Sequence, residues 1–145
     1  KEALDLFDQF NDSRGIAAAA NTLAEALFAL DDLAAAEFNI GRVLQTEEER
    51  IIADSLRLYA EIMLRREDYT AAESYARQSF ELAQKLKHRY IEAYAYRVLG
   101  KVHLATGDCS QARQALFTAI DLFTAMGLSH EVELTSQIWH DGGCS

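Results

Sequence analysis

The chain has 145 residues, half of them apolar, enough to bury the core of one ordinary domain. Fourteen Lys and Arg against 23 Asp and Glu leave a net charge of −9, which repels a phosphate backbone and argues against nucleic acid as a partner. With no proline and only seven glycines it has too few breakers for a many-turned sandwich or barrel, so the expected class is all-α.

Taken in chain order, the pattern predicts helices over about 1–11, 15–29, 33–45, 48–66, 69–86, 89–105, 109–126 and 130–140. Ser13-Arg14-Gly15 reads as the first turn, and Asp31-Asp32, Glu67-Asp68 and Gly107-Asp108 as later ones. Thr46 to Glu49 has capping-box spacing, Ser129 with Glu131 starts the last helix, and Gly127 closes the one before it. The longest apolar runs, such as Ile16 to Ala20, fall far short of a membrane span. Lys1 to Leu4 opens the chain without an initiator Met, and Glu2, Asp5 and Asp8 interrupt any secretory signal, so a cytoplasmic location is expected.

The turns recur within a repeat. Aligned on their acidic residues, Leu27 to Leu33 matches Met63 to Tyr69 and His103 to Cys109, and Ala follows four residues later at Ala36, Ala72 and Ala112. Small residues precede each turn at Ala24, Ala60 and Gly100, each after a large apolar one: Leu23, Tyr59 and Leu99. Each unit therefore reads as two amphipathic helices in a hairpin, the small residue admitting the partner helix closely. The domain divides into a half-unit 1–12, units 15–45, 48–86 and 89–127, and a terminal helix 129–140, with 141–145 as a flexible tail. A stack that starts and stops mid-unit is expected to be a piece of a longer chain.

This pattern resembles the tetratricopeptide repeat, best kept in Tyr96-Arg97-Val98-Leu99-Gly100 through Gly107-Asp108 and Ala112 to Ala119. It lacks the family's frequent Pro, and its period exceeds the usual ~34 residues, as in the sensor arms of large bacterial signalling regulators. The resemblance implies a right-handed superhelical solenoid of antiparallel hairpins, about eight helices in all, acting as a non-catalytic scaffold for protein or peptide partners.

Candidate chemistry is sparse. His103 occupies the place of Leu27 and Met63 and reads as a core-edge residue, and His88 sits in a basic connection at a helix end. Cys109 reads as a buried or half-buried filler in the place of Leu33 and Tyr69, and with Cys144 it indicates neither a zinc site nor a disulfide framework. No nucleophile–base arrangement or phosphate loop is present, so no catalytic, metal or cofactor residue is assigned.

Surface recognition remains. In stacked hairpins the first helices line the concave side, where Asn21, Glu25, Phe28, Arg57, Glu61, Leu64, Tyr94, Arg97, Lys101 and Leu104 are free of packing duty. Arg97 and Lys101 have no acid four residues away in their helix, which predicts a seat for the acidic end of a ligand. The clamp by which some family members hold a terminal carboxylate is not matched, since Glu25 and Glu61 stand at two of its places. Arg57, Glu61 and Arg65 read as an i,i+4 ladder. The alternative role is a structural arm that stacks on further repeats or on a copy of itself through Leu4, Phe7, Leu134, Ile138 and Trp139.

Overall fold

The computed structural model describes the backbone of residues 2–144 and the side chains of residues 13–144. Among these residues there are seven helices and no strand: α1 (Glu2–Ala29), α2 (Leu33–Leu44), α3 (Glu49–Arg65), α4 (Tyr69–Lys85), α5 (Arg89–Thr106), α6 (Cys109–Ala125) and α7 (Ser129–Asp141). None is long and apolar enough to cross a membrane.

The first two expected helices are one. Gly15 keeps a helical backbone with no left-handed residue near it, and one glycine inside a helix costs only about 1 kcal/mol, a loss the following Ala17 to Ala20 readily offset. The expected half-unit 1–12 is thus continuous with the helix that follows it.

Five of the six connections share one design. Asp31, Glu67, Lys87, Gly107 and Gly127 each take a left-handed backbone, with φ between 57° and 81°. The N–H one residue further on donates to the carbonyl five residues back, as from Asp32 to Leu27, Asp68 to Met63, His88 to Ala83, Asp108 to His103 and Leu128 to Phe123. This Schellman closure satisfies the last carbonyls of one helix while the next residue caps the following one. Asp32, Asp68 and Asp108 accept from the amides three residues on, and the His88 Nδ1 accepts from Ile91 in the same way. His88 is therefore an N-cap, a role its basic neighbourhood concealed. Thr46 and Ser129 do not cap: the Thr46 hydroxyl donates to the Val43 carbonyl and closes α2, while Glu48 and Leu128 hold the N-cap places without a side-chain bond.

Helices α1/α2, α3/α4 and α5/α6 form antiparallel hairpins, and α7 packs on α6 as the first helix of a further unit. The first helices also touch one another, α1 with α3 and α3 with α5, whereas α2, α4 and α6 make no comparable contacts among themselves. Such a stack curves with its first helices on the inner side. Ala24, Ala60 and Gly100 are all buried at the hairpin crossings. Each faces a different partner volume: Ala24 shares a cluster with Ile40, Ala60 with Ala76, and a Cβ at Gly100 would overlap the Cγ and Cδ2 of Leu116.

Two readings of the cysteines are corrected. Cys109 is exposed, and it forms a disulfide with Cys144. The hairpin explains the pairing: Gly127 turns the chain midway between them, so an antiparallel α7 brings its end back beside the start of α6. The residues expected to form a flexible tail thus carry a covalent tie, and Gly142 lies so close to Leu104 that a Cβ there would come within 2.6 Å of the leucine Cδ2. His103 is buried, in keeping with the core-edge reading.

Candidate functional site

All ten residues expected to line the concave side lie on α1, α3 and α5. The structure gathers four of them, Glu25, Phe28, Arg57 and Tyr94, with Asp54, Leu58 and Tyr90, around a cavity of about 420 Å3. The three helices supply these residues because their first-helix positions repeat one unit apart, placing the inner side chains of successive units next to one another.

Arg57 organises the cavity. Its Nη2 donates to Glu25 Oε1 on α1 and to Asp54 Oδ1 on its own helix, both at 2.6 Å. Burial alone would lower its pKa, but the Asp54 and Glu25 carboxylates more than compensate and hold it above the ordinary arginine value. Its guanidinium carbon lies 5.3 Å from the centre of the Tyr94 ring. Asn21 extends the network, donating to Asp54 Oδ2 and accepting from the buried Ser55 hydroxyl, and it lines an adjoining cavity of about 190 Å3 with Arg50, Asp54, His88 and Tyr90.

Tyr94 connects this cavity to α7, the first helix of the further unit. Its hydroxyl lies 3.2 Å from that of Tyr90 and beside the Glu131 carboxylate. Burial, helped by Tyr90 and Glu131, lifts it well above the usual tyrosine range, so the phenol stays protonated. Arg97 stacks on the other side of the network, 4.4 Å from the Tyr94 ring centre.

The carboxylate seat expected at Arg97 and Lys101 is filled from within the chain. Arg97 Nη1 donates to Glu131 Oε2 at 2.6 Å and to the Thr135 hydroxyl at 3.3 Å, both on α7. Lys101 Nζ meets both oxygens of Glu61 on α3 at 2.9–3.0 Å. The expected ladder along α3 is likewise replaced: Arg57 pairs with Glu25 and Asp54, Glu61 with Lys101, and Arg65 with Asp31. Charges one repeat apart are neighbours on the inner face, so pairing between units takes precedence over pairing along one helix. Leu64 packs against the core cluster of the first two units, and Leu104 is covered by Gly142.

Of the residues expected at the ends of the stack, the side chains of Leu4 and Phe7 lie outside the described residues. Leu134 is exposed, while Ile138 and Trp139 are half-buried, the indole meeting Phe117 edge-on. Exposed Leu30 and Phe38 at the other end, 78 % and 70 % accessible, were not anticipated, although Phe38 lies on the face of α2 opposite Ala36 and Ile40. Among the described residues no three His, Cys, Asp or Glu side chains gather in a metal-holding cluster.

No curated protein matches the chain. The sequence pattern of the family described as Tetratricopeptide repeat matches residues 51–125, just over half of the sequence, from within the first turn of α3 to the end of α6. Paired helices with buried small residues at their crossings, an inner side built from first helices, and this match lead to one conclusion: the chain belongs to the tetratricopeptide repeat family.

Proposed function

We propose that the protein is a non-catalytic scaffold that holds a segment of a protein partner along its inner face. Tetratricopeptide repeats mediate protein–protein contacts, which supports the general role. The observation that carries the specific reading is the cavity shared by α1, α3 and α5, whose polar lining is held in place by the Arg57 ion pairs, one to Glu25 of the preceding unit and one to Asp54 of its own helix. Side chains already fixed in this way lose little freedom when a ligand arrives, which favours binding.

The test is selection of binders from a displayed library of random peptides on the intact chain, followed by mapping of amide shifts. The expected result is that shifts gather on Glu25, Phe28, Arg57, Tyr90 and Tyr94. Shifts confined to α2, α4 and α6 would refute the assignment of the inner face.

A second reading is favoured by the exposed Leu30 and Phe38 at one end and Leu134 at the other: the stack also joins end to end with further repeats or a second copy. Sedimentation over a wide concentration range tests it, and Phe38→Glu should abolish any self-association found.

A further inference from the structure

We infer that the cavity between α1, α3 and α5 receives a cationic side chain, a Lys or Arg of the protein partner, an inference that rests on the inner face being the binding surface. Charge gives the first argument. Arg57 is the one cation among the lining residues and is shared by two carboxylates, so the cluster of Glu25, Asp54 and Arg57 keeps one net negative charge. Glu25 is the part of it open to solvent, its side chain 47 % accessible against 14 % for Arg57. An incoming anion would meet that carboxylate first.

The direction of the hydrogen bonds gives the second argument. Asp54 spends one oxygen on Arg57 and the other on Asn21. Glu25 spends only Oε1, and its Oε2 has no partner among the described residues. Tyr90 donates its hydrogen to the Tyr94 oxygen at 3.2 Å, and Tyr94 itself stays protonated beside Glu131. Tyr90, 44 % accessible, is left with an unused lone pair at the cavity. The acceptor capacity still open to a ligand lies at Glu25 Oε2 and the Tyr90 oxygen. On the donor side, Arg57 Nε has no accessible surface, and Arg57 Nη1, which has no partner among the described residues, belongs to a guanidinium already held by two carboxylates. A group made only of donors and carrying positive charge complements those acceptors and the net negative charge beside them, and ammonium and guanidinium are those groups.

The apolar lining completes the fit. Phe28, Leu58 and the two tyrosine rings offer surface for the methylene stem of Lys or Arg, and Tyr90, over which no described cation lies, offers a ring face for its head. The chain already uses these rings this way, with Arg65 over Phe28 at 4.5 Å and Arg57 and Arg97 over Tyr94.

The experiment sequences peptides selected from a displayed random library and measures their affinities by calorimetry. Enriched peptides should share a Lys or Arg at one position, and replacing that residue with neutral citrulline or norleucine should weaken binding about tenfold, the scale of one charge-assisted hydrogen bond. Glu25→Gln should cost a similar factor while keeping its bond to Arg57. Tyr90→Phe, on a half-exposed ring, should weaken binding several-fold and serves as the second variant if Glu25→Gln lowers the melting temperature. Peptides that bind the inner face without a shared cation, or whose affinity ignores both variants, would overturn this inference and leave the scaffold reading standing. A library yielding no inner-face binder would remove both.

Discussion

Replacing Gly100 with Ala sets two effects of known sign against each other. In an isolated helix the change would stabilise by about 1 kcal/mol, since glycine pays the larger backbone entropy. In this stack the new Cβ would overlap the Cγ and Cδ2 of Leu116, a side chain with no exposed surface. Overpacking of this kind costs about 1–3 kcal/mol, and overlap with the branch point rather than a flexible tip places it near the upper end. The net loss is about 1–2 kcal/mol, or roughly 3–7 °C in melting temperature for a chain of this size. Circular dichroism melts of the single variants and of Gly100→Ala/Leu116→Ala close a thermodynamic cycle. Leu116→Ala alone should cost about 2–5 kcal/mol through the cavity it leaves. The double variant recreates the Ala60 and Ala76 pairing of the preceding unit, so it should be less damaged than the two losses added, by about 1–3 kcal/mol. A Gly100→Ala protein that melts higher than the parent, or a cycle that closes additively, would refute the claim that this crossing is set by contact with Leu116.

The joint change Arg97→Glu and Lys101→Glu should lower the melting temperature whether or not a ligand is present, because each places a carboxylate against Glu131 or Glu61; about 2 kcal/mol per half-buried pair is the expected scale in a melt. For Glu131, burial raises the pKa, but hydrogen bonds from Arg97 and Tyr94 and the charges of Arg97 and His130 outweigh it and hold the carboxyl below its usual 4.5. A depressed folded value gives stability that is complete above the unfolded pKa and lost as pH falls through the folded one, so melting temperature should drop below about pH 4.5 and Arg97→Met should flatten that limb. Native protein should show no thiol titratable by Ellman's reagent, and Cys144→Ser should destabilise by at most about 4 kcal/mol, the closure entropy of a loop spanning 35 positions. Two reactive thiols in the folded chain would contradict the tie. Asp108→Ala should cost about 1 kcal/mol in a thermal melt by freeing the Gln111 amide at the start of α6.

The hairpins were legible because their markers are local: an acidic cap after a left-handed residue, a small residue seven places before it, and an apolar stripe between. Asp32, Asp68 and Asp108 each combine with the helix that follows, and no distant residue is needed to see it. Gly15 misled because a lone glycine is a weak breaker whose outcome depends on its surroundings. The lining of the inner face was legible as positions but not as pairings. Glu25 with Arg57, Glu61 with Lys101 and Arg97 with Glu131 stand 32 to 40 residues apart, and only a search for opposite charges about one repeat apart would have joined them. Tyr90 and Asp54 were missed for a related reason: each lies one turn before a residue already assigned, on the same face of its helix. The cysteine tie was available by counting outward from Gly127, once α6 and α7 were treated as a hairpin and not as a helix followed by a loose end.

The second helix of the first unit has 12 residues where α4 and α6 have 17, and α2 accordingly meets α3 over a smaller interface than α4 shares with α5. That junction resists bending least, and the cavity on the inner face spans it, taking residues from α1 on one side and from α3 and α5 on the other. A ligand seated there, as proposed, would act as a splint across the softest joint of the coil. Occupancy would then fix the angle at that joint, and so the distance between the two ends of the stack.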